Sequence, residues 1–303
     1  MNNIRLINSF HNIGNYHSRS WALEDSVKYV FTHKGHLIEA GYYIHYSDDR
    51  KNNPIKHVIE LSTSYGCPFH CRFCASSSIY NISVLEKEVV YEVFSFIYNL
   101  NDMVLLDDIE VSFMGIGDVF FTQETVLSVI PLILRCNDKI RFNISSCCWT
   151  KSMIERFEQY RNCIKTLQIT FVNLKTNRIR ELIPGFLEND YNIGDVLQTI
   201  YEYNFEKIRI NYLMINGFND GDKDILQFLD IVKQYRNKIT VRISRMNITR
   251  AAIDNNLQSS TMEKMKRFEN CLLNEGINAY LFYSYQNDNM SCGQLITELK
   301  DSV

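Results

Sequence analysis

From residue 58 onward, short apolar segments alternate with longer segments whose apolar residues recur at helical spacing. Near-continuous apolar runs separated by amphipathic helices are typical of a parallel sheet covered by helices. The predicted strands are HVIELST, 109–115, 140–146, 164–171, 207–215, 238–245 and 277–284. The predicted helices are 86–100, 123–136, 150–160, 194–204, 222–235 and 261–276. Pro131 lies near the middle of the second helix and is unfavourable there.

Six strand–helix units are too few for a closed eight-unit barrel. We therefore predict an α/β fold with a partial (β/α)6 barrel over residues 58–284. Residues 1–57, with the hairpin-like segment YVFTHKGHLIEAGYYIHY, are expected to form a small N-terminal extension, and 285–303 a C-terminal tail. In parallel sheets the chemistry collects at the carboxyl ends of the strands. The cysteine loop and the segments MGIGD, SSCCW and NGFND all follow predicted strands, so they should share one face.

Composition and charge narrow the class of protein. The chain has 303 residues, 46% of them hydrophobic, and a net charge of −3, so it lacks a global basic field that would attract nucleic acid. A local patch remains open, since two short regions hold Arg178, Arg180, Arg242, Arg245 and Arg250. The N-terminus does not read as a signal peptide, and no apolar run could span a membrane. Nine cysteines then indicate thiol or metal chemistry in a reducing compartment, and we predict a cytoplasmic protein.

The segment CPFHCRFC places Cys67, Cys71 and Cys74 at the spacing C-x3-C-x2-C. A zinc site would need a fourth ligand nearby, and His70 sits too close within the loop to complete a tetrahedron easily. Three thiolates can instead hold a [4Fe–4S] cluster and leave one iron open for another ligand. A non-catalytic iron–sulfur or zinc protein remains the alternative from another class.

A three-cysteine loop after the first strand of a partial barrel resembles the radical S-adenosylmethionine (SAM) superfamily. Further segments resemble, in order, the ribosomal RNA methyltransferases that methylate carbon 2 or carbon 8 of an adenine. These segments are HLIEAGYY, STSYGCPFHCRFCASS, FMGIGD, RFNISS, LQITF, INYLMINGFND, VRISRMN and CGQL. The resemblance covers most of residues 28–296. It implies a [4Fe–4S] cluster on the three cysteines, SAM on the open iron, flavodoxin or ferredoxin as electron donor, and RNA as substrate.

The same resemblance assigns roles to individual residues. Cys292 matches a cysteine that takes a methyl group from one SAM molecule. In the family, the radical made from a second SAM removes a hydrogen from that S-methyl group, and the resulting methylene radical adds to the adenine carbon. Glu39 matches a glutamate near that cysteine, although an exposed hairpin acid is the simpler reading. The residues expected to contact the cofactor are Gly115, Gly117, Asp118, Ser145, Ser146, Thr170 and Asn219. Turn or capping roles would explain the side chains among them equally well.

The chain departs from this family at several positions. Glu60 stands where the family has a second cysteine that releases the product through a disulfide; a carboxylate can act as a base but cannot form that bond. Cys147 and Cys148 are candidates to replace it, or simply buried cysteines. Val172 and Asn173 interrupt a family His-Ala-Pro-Asn segment, and the N-terminal extension is short. A divergent radical SAM enzyme acting on a small metabolite, nucleoside or peptide is therefore the alternative.

Overall fold

A computed structural model describes residues 4–16, 23–46, 54–187, 191–282 and 293–295. In this part of the chain the strands form a single ten-stranded sheet whose order follows the sequence. The strands are β1 Arg5–Tyr16, β2 Leu23–His33, β3 His36–Tyr46, β4 Pro54–Glu60, β5 Ile109–Ser112, β6 Arg141–Ser146, β7 Ile164–Phe171, β8 Ile208–Met214, β9 Ile239–Arg245 and β10 Asn278–Phe282. The α-helices are α1 Lys87–Leu100, α2 Val119–Leu134, α3 Lys151–Phe157, α4 Thr176–Leu182, α5 Ile193–Glu202, α6 Asp222–Val232, α7 Arg250–Asp254 and α8 Met262–Asn274.

The sheet has an antiparallel and a parallel part. Strands β1 to β4 form an antiparallel meander, whereas β4 to β10 run parallel to one another. The predicted α/β class and the seven parallel strands are confirmed. Because β1 and β10 are the two edges of the described sheet, closure into a partial barrel stays a prediction. The predicted division at residue 57 is likewise untested; β4, which begins at Pro54, pairs with both parts.

The helix around Pro131 begins earlier than predicted and continues through the proline. Asp118 caps α2 by accepting from the Phe120 amide at 2.9 Å, which places the helix start four residues ahead of the predicted one. Proline cannot donate to the carbonyl four residues earlier, that of Leu127. The Tyr160 hydroxyl donates to this carbonyl instead, at 3.2 Å. Pro131 is therefore tolerated because a neighbouring element supplies the missing donor.

The two faces of the parallel sheet differ in polarity. Ile144, Ile169 and Ile243 are fully buried members of the main apolar core, which also includes apolar side chains of the helices. The alternate positions on the other face carry polar residues, including Asn143, Ser145, Gln168, Thr170, Asn211, Arg242 and Ser244. The expectation of near-continuous apolar strands was therefore wrong for this face. A face of polar side chains is typical of a sheet that binds a ligand on that side.

Among the described residues, no helix combines the length and the apolar character that a membrane span requires.

A buried charge cluster lies near the amino ends of the parallel strands. Glu110 is 5% exposed and accepts from Lys165 Nζ at 2.6 Å, from Asn143 Nδ2 at 2.8 Å and from Lys56 Nζ at 3.4 Å. Burial alone would raise the pKa of Glu110, but Lys56, Lys165 and Asn143 lower it from 4.5 to about 2. The ionised carboxylate thus joins β4, β5, β6 and β7 away from the carboxyl ends of the strands.

Replacing this carboxylate should destabilise the protein in a pH-dependent way. A lowered pKa stabilises the fold above the ordinary value of 4.5, and the effect is lost as the pH falls towards 2. We expect Glu110→Gln to lower the free energy of unfolding at pH 7 by about 2 kcal/mol, and the difference from the wild type to shrink below pH 4.5. Urea denaturation across this range measures it. Glu206→Gln, at the exposed ion pair with Arg141, is the control and should change little. An equal loss at every pH would contradict the assignment.

Candidate active site

A cavity opens at the carboxyl ends of the parallel strands and collects most of the predicted site residues. Those that line it are Glu60, Cys67, Cys71, Cys74, Gly115, Gly117, Asp118, Ser145 and Thr170. Glu39, Ser146 and Asn219 do not line it, and Cys292 lies outside the described residues. The loops after β4, β5 and β6 therefore converge, as the sequence predicts for parallel strands.

The cysteine loop is held by its one fully buried aromatic residue. Phe69 packs against Phe120, Phe121 and Phe186, with ring centroids 5.8, 4.6 and 6.3 Å away. The loop backbone is tied down as well, since the Gly185 amide donates to the Phe69 carbonyl at 2.9 Å. With Phe69 facing the protein, the three thiols line the cavity. His70 is exposed and lies outside the cavity lining, which leaves it unsuited as a fourth ligand.

The three thiols fit an iron–sulfur cluster better than a single ion. Among the described residues, no three Cys, His, Asp or Glu side chains converge on a point that would hold one metal ion. A cubane cluster spreads its cysteine ligands over a wider space than a single zinc ion does. Burial, with Cys71 and Asp118 nearby, raises the pKa of the Cys67 thiol. A thiolate here therefore needs positive charge beside it, which a bound metal would supply.

The MGIGD segment packs against the loop after β4 so tightly that both glycines are required. A Cβ at Gly115 would lie 2.7 Å from the Ser62 amide nitrogen. Gly117 has φ +110°, and a Cβ there would lie 2.4 Å from Ser64 Oγ and 2.8 Å from Thr63 Oγ1. The Ser62 hydroxyl also accepts from the Ile116 amide at 2.8 Å. These contacts hold the segment at the cavity wall.

Asp118 is the acid that this segment presents to the cavity. Its carboxylate accepts from Ser146 Oγ at 2.6 Å, from the Cys147 amide at 3.0 Å and from the Phe120 amide. Burial nevertheless raises the pKa of Asp118. A cationic group of a ligand would restore the ionised form. Ser146 donates to Asp118, and its predicted contact with a cofactor stays a prediction; Asp118 itself also caps α2.

Asn219 is engaged entirely within the protein. Its side chain is fully buried, accepts from the Ile215 amide at 2.8 Å, and donates to the carbonyls of Val172 and Leu213 at 2.7 and 2.8 Å. Both amide protons are thereby used, which favours the turn role that the sequence also allowed. Contact between Asn219 and a cofactor stays a prediction without support from these hydrogen bonds.

The cavity wall formed by β7, β8 and β9 includes polar residues that no sequence motif had indicated. Asn211 Oδ1 accepts from Arg242 Nε at 3.0 Å and from Ser244 Oγ at 2.5 Å, and the guanidinium of Arg242 lies 4.5 Å from the ring centroid of Phe282. Gln168 Nε2 donates to Ser145 Oγ at 2.9 Å, and its buried Oε1 has no hydrogen-bond partner among the described residues. Polar residues at alternate strand positions were the available signal.

The antiparallel meander supplies another wall. Glu60 is 7% exposed, lines the cavity and accepts from the Tyr43 hydroxyl at 3.4 Å. Glu39 is 2% exposed, so the reading of an exposed hairpin acid was wrong; it lies 3.6 Å from the ammonium of Lys28, which lines the cavity.

The two adjacent cysteines after β6 take different positions. Cys147 and Cys148 are both buried, as the simpler reading expected. Only Cys147 lines the cavity, where burial, with Cys71 beside it, raises the pKa of its thiol. Cys148 packs in the apolar cluster beneath the cysteine loop. Of the two candidates for the missing thiol, Cys147 is therefore the one that faces the site.

The fold resembles that of a solved radical SAM methyltransferase. A radical SAM methyltransferase from Sphaerobacter thermophilus superimposes with a TM-score of 0.75 and 19% identity, over 97% of this chain and 81% of that chain. A mutant of spore photoproduct lyase superimposes with a TM-score of 0.53 and 10% identity, over 74% of this chain and 76% of that one. No protein-family model matches the chain.

The similar sequences are proteins named as dual-specificity RNA methyltransferases. The chain is 25% identical over 244 residues to a probable dual-specificity RNA methyltransferase RlmN of Pseudothermotoga lettingae, covering 78% of this chain and 67% of that relative. Proteins of the same name from Chlorobium phaeobacteroides and Dictyoglomus turgidum are 23% and 26% identical, over 83% and 79% of this chain and 70% and 69% of the relatives. The resemblance predicted from the motifs is confirmed.

The need for glycine at the cavity wall can be tested with a matched pair. Gly117→Ala places a Cβ against Ser64 and Thr63, and we expect a loss of about 2 kcal/mol or more in unfolding free energy. Gly217 also has positive φ, +69°, but nothing lies within 4 Å of its Cβ position. Gly217→Ala should therefore cost only about 1 kcal/mol. Chemical denaturation of both variants measures this, and equal losses would show that the contacts at Gly117 are unimportant.

Proposed function

We propose that this protein is a radical SAM methyltransferase that holds a [4Fe–4S] cluster on Cys67, Cys71 and Cys74. The observation that carries the proposal is the convergence of these thiols, the glycine segment with Asp118, and the residues after Cys292 on one cavity. The names of the sequence relatives support methyl transfer, and the fold supports radical SAM chemistry.

When bound, the cluster and SAM would supply a 5′-deoxyadenosyl radical by reductive cleavage of the sulfonium. The protein's own groups would bind and orient SAM. The raised pKa of Asp118 suits it to pair with a cationic amino group, which would hold it ionised. Gly115 and Gly117 keep the wall close, and Ser145 and Thr170 present hydroxyls from β6 and β7 to the same space. The buried walls limit the access of water.

Cys292 is the proposed methyl carrier. Its neighbour in sequence, Gly293, lies at the cavity, where a Cβ on Gly293 would be 4.0 Å from Cys74 Sγ. Cys292 directly precedes Gly293 in the sequence, which supports its assignment as the carrier. Because the relatives are named RNA methyltransferases, we propose an adenine carbon of RNA as the acceptor.

A second candidate substrate class is favoured by Glu60. This carboxylate lines the cavity at the position where the family has its releasing thiol. A radical SAM enzyme that modifies a small metabolite, nucleoside or peptide would not need that thiol. Salt-sensitive binding to ribosomal RNA fragments would favour the first substrate class, and lack of binding the second.

We further propose that the protein works in a reducing, cytoplasmic compartment and takes electrons from a small redox protein. The eight described cysteines are all free thiols, in keeping with a reducing, cytoplasmic compartment. Cleavage of SAM requires a one-electron donor, for which we propose a flavodoxin or a ferredoxin.

Metal analysis tests the cluster. After anaerobic reconstitution, the wild type should hold iron and acid-labile sulfide in equal amounts, and Cys67→Ala, Cys71→Ala or Cys74→Ala should each lose most of both. Cys136→Ala, at an exposed thiol away from the cavity, is the control and should retain them. Zinc without sulfide in the wild type would instead support the non-catalytic metal-binding alternative.

Peptide mass spectrometry tests the methyl carrier. Wild-type protein incubated anaerobically with methyl-labelled SAM should carry label on Cys292, and Cys292→Ala should carry none while still forming 5′-deoxyadenosine. Cys271→Ala is the matched control and should label normally. An unlabelled Cys292 in protein that forms 5′-deoxyadenosine would overturn the methyl-cysteine mechanism, and failure to form 5′-deoxyadenosine would overturn the radical SAM proposal itself.

A further inference from the structure

Lys28 is a buried cation that the proposed chemistry does not use. It lies on β2, is 3% exposed, and is contributed to the cavity by the N-terminal meander. In the sheet register Lys28 is opposite Gly41, and Gly41 is opposite Glu60, so the three positions form one row across β2, β3 and β4. A buried ammonium is costly unless charge and hydrogen bonds compensate for it. Its partners therefore indicate its role.

Lys28 has two described partners from opposite ends of the chain. Its ammonium lies 3.6 Å from Glu39 Oε2, a carboxylate that is equally buried, and the pairing offsets part of the desolvation of both groups. The ammonium also donates to the main-chain carbonyl of Gln294 at 3.0 Å, a charge-assisted hydrogen bond. Glu39 thus stabilises the cation, and the cation holds the backbone after Cys292.

The segment Gly293–Leu295 is held at further points. The Gly293 carbonyl accepts from the Ala75 amide, next to Cys74, at 2.8 Å. The Gln294 side chain donates to the Ile248 carbonyl at 2.8 Å. Leu295 is 5% exposed and packs with Ala75 and Ile116. Lys28 supplies the charged contact of this set.

We propose that Lys28 is a positioning residue that, supported by Glu39, clamps Gly293–Leu295 and so presents Cys292 to the cluster site. The clamp rests on the proposed function for the role of Cys292, but its geometry does not. Lys28 acts through the Gln294 carbonyl and touches no reacting atom in this assignment. Without it, the segment retains the contacts from Ala75 and Ile248 but loses the charge-assisted hydrogen bond from the meander.

The test compares Lys28→Met with Lys28→Arg in the reconstituted enzyme. Lys28→Met preserves the length of the side chain and removes the donor, so amide hydrogen exchange in the peptide containing 293–295 should rise by about tenfold, the worth of one charge-assisted hydrogen bond. Methyl label on Cys292 should fall by a similar factor while iron content and 5′-deoxyadenosine formation persist. Lys28→Arg keeps a donor and should retain most of the protection.

A second pair of variants separates clamping from a general effect of burying an unpaired charge. Lys28→Met removes the ammonium beside the buried Glu39 carboxylate, which can destabilise the fold. Lys28→Met with Glu39→Gln removes both charges and should recover stability while exchange at 293–295 stays fast. Glu39→Gln alone retains the donor and should keep the segment protected.

The possible results lead to distinct conclusions. Wild-type exchange at 293–295 in Lys28→Met would overturn the clamp, as would recovered protection in the double variant. Fast exchange with normal label on Cys292 would overturn the link to the carrier. If the wild type itself carries no label, the proposed function fails, whereas the exchange measurements still decide whether Lys28 holds the segment.

Discussion

Insertion of Phe69 among Phe120, Phe121 and Phe186 is the contact on which the candidate site depends. An aromatic ring buried in this way contributes a large apolar area at one point of the loop and adds to its backbone hydrogen bonds. The backbone around it has no freedom to spare, since a Cβ on Gly185 would lie 2.1 Å from the Pro68 carbonyl oxygen. With the ring facing inward, the thiols face the cavity.

The sheet adds the second requirement of a site, which is a rigid frame with two chemically different faces. Residues that alternate along one strand point to opposite sides of the sheet, so Ile169 packs in the apolar core while Gln168 and Thr170 face the cavity. The strands are anchored at the other end by the buried carboxylate of Glu110. Loops that carry the glycines and cysteines thereby start from fixed positions.

Much of this arrangement could be predicted from local sequence, and the limits have physical causes. Helical and apolar periodicity predicted the strand–helix units within a few residues, because such patterns reflect burial. The short helices α4 and α7 were not predicted, because five to seven residues show too little helical periodicity. The motif residues Gly117 and Asp118 lie at the cavity, whereas the Asn219 amide bonds to backbone groups, a choice of partners that sequence spacing does not show. Contacts such as Lys28 with Gln294 leave no local signal, since 266 positions separate them.

That separation has a consequence for how the protein matures. During synthesis the β2–β3 hairpin emerges early, and the Lys28–Glu39 pair joins residues that are close in sequence. The Gln294 carbonyl becomes available only after the seven parallel strands have left the ribosome. Native contacts between such distant positions carry the largest loop-closure cost and form late in folding. The part of the cavity wall that Gly293–Leu295 supplies can therefore form only after the parallel strands have been synthesised.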